Sequence, residues 1–409
     1  GEWLLTGLVI VALLCGCGGA SPTPPPPTEA AELPTATAPT ATSTPEASTL
    51  PPPTDTPPPP TDTPTPTPTE TAPPTPSSAP TRWQAPTATP KPAVVFRLHK
   101  PQTDSILPPS NLPIFTGPYT DPGGVVYHDG QFHMFYNNLL DFPPTQITIG
   151  YATSADGLTW TRVTDATILD PGDVPFADNV VRAGSALVEE DGTWVLYFDT
   201  MAAQAEQAPY SVIGRATAPS PAGPWTAGPA PVLAPDAEGW DAYAVQRPCV
   251  VRTGDGYAMY YQAFAARTAA PVFALATSAD GITWTKHGTP VFEGSAVTWG
   301  KHISITYPYV VRNDDGWLLF FKGSGDRFDQ SIGLAASRDG IHWQLAQDRP
   351  VFETANYENW LTVFVLKVLR VEKSWYLFLE LENRAGSKVN VALFEGSMVP
   401  GRNLAPLGP

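Results

Sequence analysis

Three cysteines in 409 residues, at positions 15, 17 and 249, leave the larger C-terminal part of the chain with a single thiol. That part can hold no internal disulfide, so its stability rests on packing. Basic residues are also scarce. The chain carries 23 Lys and Arg against 39 Asp and Glu, a net charge of −16, which argues against a nucleic-acid partner because phosphates call for a basic face. The apolar run Leu4 to Leu14 is too short to cross a bilayer as a helix. No Cys/His cluster, phosphate-binding glycine loop or dinucleotide fingerprint occurs. Helical periodicity is missing between the apolar segments that follow residue 93.

Proline, by contrast, is abundant and uneven: 25 of the 50 lie between Ser21 and Pro92. Thr, Ala and Ser fill most of that stretch, in repeats such as Pro53-Thr54-Asp55-Thr56-Pro57 and Pro60-Thr61-Asp62-Thr63-Pro64. It lacks the apolar content to offset the entropy of ordering, and reads as a disordered, extended spacer. Before it, Leu4 to Leu14 has the form of a secretion-signal core, ending in Leu14-Cys15-Gly16-Cys17 and Gly18-Gly19-Ala20. This segment resembles a bacterial lipoprotein signal, which implies lipidation at Cys17. The expected division is a signal segment at 1–20, a Pro/Thr-rich linker at 21–92 and a folded region at 93–409. The expected location is the outer face of a bacterial membrane through that lipid anchor, or the medium, as a monomer.

The folded region holds 10 of the 12 Trp and a net charge of −11, ample material for one large core. Asp-Gly pairs recur in it at Asp129-Gly130, Asp191-Gly192, Asp255-Gly256 and Asp315-Gly316, spaced by 62, 64 and 60 residues. Alternating apolar residues flank them, as in Val125-Val126-Tyr127 and Phe132-His133-Met134-Phe135-Tyr136. This is the pattern of a hairpin closed by a tight turn. A third strand follows each hairpin, then a turn ending at Trp160, Trp225, Trp284 or Trp343. A fifth copy, with Glu372-Lys373 at its turn, spans Val365 to Phe394. Four-stranded units repeated radially are the sequence form of a β-propeller. The expected fold is therefore all-β: a five-bladed propeller of four-stranded antiparallel blades, closed by Val94 to Leu98 as a strand of the fifth blade.

A bulky aromatic precedes each inner strand, at Phe115, Phe176, Trp240, Trp299 and Trp360, and is expected to wedge between blades. The loops between these aromatics and the strands should approach the mouth of the central channel, where propellers bind ligands. Their polar residues differ from repeat to repeat: Asp121, Asp178, Arg182, Asp241, Gln246, Arg247, His302 and Tyr307. Asymmetry on a symmetric scaffold is what a ligand site requires. Arg182 and Arg247 suit a carboxylate or phosphate on the ligand, or pair with Asp121 and Asp178. His302 suits a sugar contact or a channel cation such as calcium; no other cofactor is expected. Asp156, Asp280 and Asp339 recur with the repeat and read as turn residues. Cys249 reads as a small buried apolar residue.

The stretch Thr120-Asp121-Pro122-Gly123-Gly124 and on to Tyr136 resembles the first blade of the five-bladed glycoside hydrolases of families 32 and 43, in which Asp-Pro opens the first inner strand. Ala152 to Trp160 is similar to the Ser-x-Asp-x-x-x-Trp element of those blades. The resemblance implies two carboxylates around a sugar ring, with Asp121 as base or nucleophile. It also implies departures. Arg182-Ala183-Gly184 stands where family 32 carries Arg-Asp-Pro, and Gln246-Arg247-Pro248 replaces the expected acid Glu. Other carboxylates are then candidates for the acid: Asp241 first, Asp178 next, with Asp199, Glu380 and Glu382 following the second strands of their blades. The expectation is an extracellular hydrolase of oligo- or polysaccharide, with substrate-binding roles for Arg182, Gln246, Arg247, His302 and Tyr307. The alternative is a propeller that binds carbohydrate without cleaving it. A third reading, a sialidase, rests on the likeness of the Ser-x-Asp-Gly turns to the Asp-box of six-bladed enzymes.

Overall fold

The computed structural model describes residues 94–102, 120–140, 146–164, 166–201, 209–300, 303–313, 316–325, 330–354, 360–383 and 389–400. The signal segment, the linker, Phe115 and His302 lie outside them. The described residues form five antiparallel sheets in the arrangement of a β-propeller. The inner strands are β2 (Thr120–His128), β6 (Val181–Val188), β10 (Ala244–Thr253), β15 (Ser304–Asn313) and β20 (Trp360–Val371). Each pairs with a second strand: β3 (Gln131–Leu140), β7 (Trp194–Thr200), β11 (Gly256–Phe264), β16 (Gly316–Ser324) and β21 (Ser374–Asn383). Third strands follow: β4 (Gln146–Ser154), β8 (Ile213–Ala218), β12 (Val272–Ser278), β17 (Gln330–Ser337) and β22 (Val389–Pro400). Neighbouring inner strands pack in chain order, and β20 packs on β2 to close the ring. Closure also uses a strand that precedes the first blade, as expected: β1 (Val94–Gln102) pairs antiparallel with β22, in register from Val94 with Pro400 to His99 with Glu395.

Three of the four recurring turns share a construction, and in the second blade the Ser220 hydroxyl instead donates to the Gly223 carbonyl at 2.6 Å. The Ser154 hydroxyl donates to Asp156 Oδ1 at 2.9 Å, and the same oxygen accepts the main-chain N–H of Leu158 and of Thr159, each at 2.8 Å. Ser278 with Asp280 and Ser337 with Asp339 repeat it. A side chain that satisfies backbone donors fixes the turn. The turn then delivers its Trp to the preceding blade. Trp160 meets Phe378 edge-on at 5.8 Å, Trp225 meets Phe135 at 5.4 Å, Trp284 meets Tyr197 at 5.9 Å and Trp343 meets Tyr260 at 5.7 Å. Edge-on aromatic pairs add about 0.5–1.5 kcal/mol each beyond their buried area. These Trp residues are the inter-blade wedges. Phe176, Trp240 and Trp299 pack instead on Phe198, Tyr261 and Phe321 of their own blades, which corrects the wedge role expected for them.

Candidate functional site

Every inner strand loses register with its partner near its first residues, between Asp121 and Gly124, Ala183 and Ser185, Gln246 and Cys249, Thr306 and Tyr309, and Val363 and Leu366. A bulge re-aims the side chains around it. Arg247 (φ 56°) and Tyr307 (φ 56°) hold left-handed backbone there, a costly conformation for such residues that concentrates at functional sites. Just before the bulges, Asp121 stands opposite Asn137, Arg182 opposite Asp199, Gln246 opposite Gln262 and Thr306 opposite Lys322.

The second-strand members of these pairs, with Glu380 in the fifth blade, supply one buried polar residue per blade. Three of them latch the next blade. Asn137 Oδ1 accepts the N–H of Ala183 (2.8 Å), Asp199 Oδ1 that of Arg247 (3.0 Å) and Gln262 Oε1 that of Tyr307 (3.0 Å). The remaining two seams are built differently. Lys322 has only donors and cannot accept an N–H. Glu380 precedes a first blade whose corresponding residue is Pro122, which has no N–H to give. Lys322 and Glu380 are thus excused from the latch. Glu380 is 5% exposed and has no hydrogen bond or ion pair among the described residues, and Lys322 is 1% exposed with its ammonium 5.4 Å from the Phe364 ring and 6.0 Å from that of Tyr307. A buried ionisable group without a partner is costly, so a fold that keeps two is holding them for something else.

Electrostatics distinguish the members of the site. Burial lifts the Asp121 carboxyl above its ordinary range, against the pull of Arg247, of the hydrogen bond that Asn137 donates to it, and of Arg182 and Lys367. Glu380 is lifted well above the usual glutamate value, first by burial and then by the charge of Asp121, with Lys322 and Arg247 opposing. Burial brings Lys322 down to about 7 and Lys367 to about 8. Lys367 donates to the Gly184 carbonyl at 2.6 Å. Arg182 pairs with Asp199, and both are buried. Arg247 lies over the Tyr307 ring at 4.3 Å and donates to its hydroxyl at 2.7 Å. Two carboxyls with raised pKa values, one raised by the other, inside a ring of cations can hold a proton at one oxygen and a negative charge at the next.

Of the residues picked out in the sequence, the structure brings together Asp121, Arg182, Gln246, Arg247 and Tyr307. It does not add Asp241 to them. That carboxylate is fully buried, accepts from Lys286 of the outermost strand β13 (Thr285–Lys286) at 2.5 Å and from the N–H of Asp236 at 3.3 Å, and is consumed by those contacts. Asp178 is exposed on the loop before β6. His302 and Cys17 lie outside the described residues. Cys249 exchanges hydrogen bonds with Val310 across the blade seam, and burial pushes its thiol up to about 11, which makes it packing rather than chemistry. Lys322, Lys367 and Glu380 lie within strands and not in the loops that the sequence singles out. Among the described residues no group of three or more His, Cys, Asp or Glu side chains is arranged to hold a metal ion.

Residues 116–299 match the family model for the N-terminal domain of glycosyl hydrolases family 32. Among curated proteins the chain is similar to an uncharacterised protein, Rv1502, of Mycobacterium tuberculosis (strain ATCC 25618 / H37Rv), 27% identical over 158 residues that make up 36% of this chain and 52% of that one. The chain spans about half the length of the curated relatives it matches. Among solved structures it is similar to a glycosyl hydrolase from Bacteroides ovatus, with a TM-score of 0.53 at 18% identity over 73% of this chain and 93% of that one. Fructan 1-exohydrolase IIa from Cichorium intybus gives 0.51 at 15% identity, over 72% of this chain and 57% of the other. The family match over residues 116–299 and the shared fold make the chain similar to the propeller glycoside hydrolases.

Proposed function

We propose that the protein hydrolyses glycosidic bonds of an oligo- or polysaccharide outside the cell, with Glu380 as the acid and Asp121 as the base or nucleophile. The observation that carries this reading is Glu380: a buried carboxyl without a partner among the described residues, whose proton is held by burial and by the charge of Asp121. The first proton leaves the pair from Asp121, because the Asn137 amide and three cations stabilise that carboxylate. Protonated Glu380 then donates to the leaving oxygen as the C–O bond breaks. Ionised Asp121 takes a proton from the attacking water, or attacks the sugar carbon itself and is released by water in a second step. The test is product release from a panel of plant, fructan and bacterial-wall oligosaccharides by the purified protein, with Asp121→Asn and Glu380→Gln beside it. Release that vanishes in both variants, with folding intact, supports the reading.

A second reading is a propeller that binds carbohydrate without cleaving it. It is favoured by the two departures from the family 32 pattern, Ala183 and Gln246, at positions where carboxylates are expected. Binding of panel sugars without product would decide for it. The placement outside the cell rests on the Leu4 to Cys17 segment. Incorporation of labelled fatty acid that is lost in Cys17→Ser tests the lipid anchor.

A further inference from the structure

The charged groups of the channel do not cancel. Arg182 is neutralised by Asp199, and Lys367 sits on a main-chain carbonyl next to Asp121. Arg247 pulls on Asp121 as well, so four cations, Arg182, Arg247, Lys322 and Lys367, share the two carboxylates Asp121 and Asp199, and the surplus positive charge lies at Arg247 and Lys322. Both lie against the same ring, that of Tyr307, at 4.3 and 6.0 Å, and neither forms an ion pair among the described residues. The one acidic group that pulls on Lys322 is Glu380, whose carboxyl is held toward its protonated form by burial and by the charge of Asp121. Arg247 spends one guanidinium nitrogen on the Tyr307 hydroxyl, and its remaining donors have no partner among the described residues. In the adjacent positions of the same two inner strands, the buried Gln246 Nε2 and Thr306 Oγ1 also lack partners. A surplus of positive charge set on one aromatic ring inside a chain of net charge −16 is a local reversal of sign. Such a reversal is kept where an anion enters.

We infer that the substrate carries an oxyanion, the carboxylate of a uronic acid or a phosphate ester, which docks between Arg247 and Lys322 with its sugar face on Tyr307. This deepens the hydrolase reading and rests on it for the word substrate; the anion site stands on the cations themselves. A planar carboxylate or a phosphate oxygen pair takes the free edge of the Arg247 guanidinium, Lys322 supplies a second charge, and Gln246 adds a neutral donor. The arriving anion compensates the surplus positive charge at Arg247 and Lys322, so selectivity against neutral sugars follows from the cost of leaving that charge unpaired.

The experiment is a set of binding titrations on the whole protein, followed by tryptophan fluorescence or calorimetry, with three probes: a glucuronate-containing disaccharide, its glucose-containing neutral counterpart, and glucose 6-phosphate, with inorganic phosphate as competitor. The expected result is that at least one anionic probe binds about tenfold or more tighter than its neutral counterpart, that added salt erodes the difference, and that Arg247→Met and Lys322→Met each abolish it. Displacement by inorganic phosphate and preference for glucose 6-phosphate assign a phosphate site; preference for the glucuronate probe assigns an acidic sugar. The wild-type comparison stands even if a variant fails to fold. Equal binding of charged and neutral probes, or no binding of either anion, overturns the inference. Cleavage of neutral sugars alongside that equality leaves the hydrolase reading in place. An anion preference with no cleavage of any sugar supports the inference and removes that reading.

Discussion

The Asp199 carboxylate holds two arginines at once: Oδ2 pairs with the Arg182 guanidinium, and Oδ1 accepts the main-chain N–H of Arg247 at 3.0 Å. One buried group thereby ties the inner strand of its own blade to that of the next. Removing it leaves a buried guanidinium uncompensated and a backbone donor unfilled. Asp199→Ala should cost about 3–5 kcal/mol, the range for breaking a buried pair from one side. Asp199→Asn should cost less, because its amide oxygen still accepts from Arg247. Urea denaturation midpoints of the three proteins check the order.

Asp241 gives the opposite expectation. Its partners are Lys286 on the outermost strand and the N–H of Asp236, and Lys286 also reaches the Asp236 carboxylate at 2.9 Å. Asp241→Asn should lower stability by about 1–3 kcal/mol and leave kcat/KM unchanged. A large fall in kcat with an unmoved denaturation midpoint would restore it as a catalytic candidate.

The Glu380 proton should set the alkaline edge of activity. The acid is competent only while protonated, so activity is present below its raised pKa and is lost as pH climbs through it. The acidic edge belongs to Asp121, which must be ionised. Because Glu380 binds a proton more tightly folded than unfolded, it also makes stability fall as pH rises from the ordinary glutamate range through that raised value. In Glu380→Gln the slope should flatten over the same window. Paired pH profiles of activity and of denaturation midpoint read both effects.

Lys322 has the reverse sign. Its folded pKa of about 7 lies below the ordinary 10.5, so across that window the unfolded chain binds more protons and stability rises with pH. Lys322→Met should gain stability most at the acidic end of the window, where the wild type still buries part of the ammonium charge. The difference in midpoint between variant and wild type, followed from pH 7 to pH 10, should shrink with rising pH; a constant difference contradicts the burial of this ammonium.

Much of the fold is visible in the sequence because its repeats encode contacts between repeats: Trp160, Trp225, Trp284 and Trp343 recur since each must reach one aromatic of the preceding blade. Detail inside the repeat is less visible. Asp129-Gly130 forms a turn, with φ of 49° and 79°, yet in the third blade the pairing of Thr253 with Gly256 puts Gly254-Asp255 in the turn and Gly256 at the start of the strand. There glycine is required twice over, by a φ of 123° and because a Cβ would meet the Ser278 carbonyl oxygen at 2.3 Å.

The site divides in the same way. Asp121, Arg182 and Arg247 stand out in the sequence because polar residues at strand entries are conspicuous. Lys322 and Glu380 are hidden in apolar runs, Phe320-Phe321-Lys322 and Leu379-Glu380-Leu381. The signal that finds them is the position they share with Asn137 and Gln262, six residues into the second strands of their blades. Asp241 misleads for a physical reason: sequence distance from the inner strand says nothing of the Lys286 that draws its carboxylate outward.

The most direct test of the account is the dependence of Glu380→Gln on the leaving group. A glycoside with a dinitrophenolate leaving group needs no protonation, whereas a sugar leaving group does. On a glycone identified from the panel, the variant should keep most of the wild-type kcat/KM for the aryl glycoside and lose about 10²-fold or more for the natural linkage. Equal losses on both substrates, or no loss on either, would contradict the assignment of Glu380 as the acid and with it the pairing with Asp121.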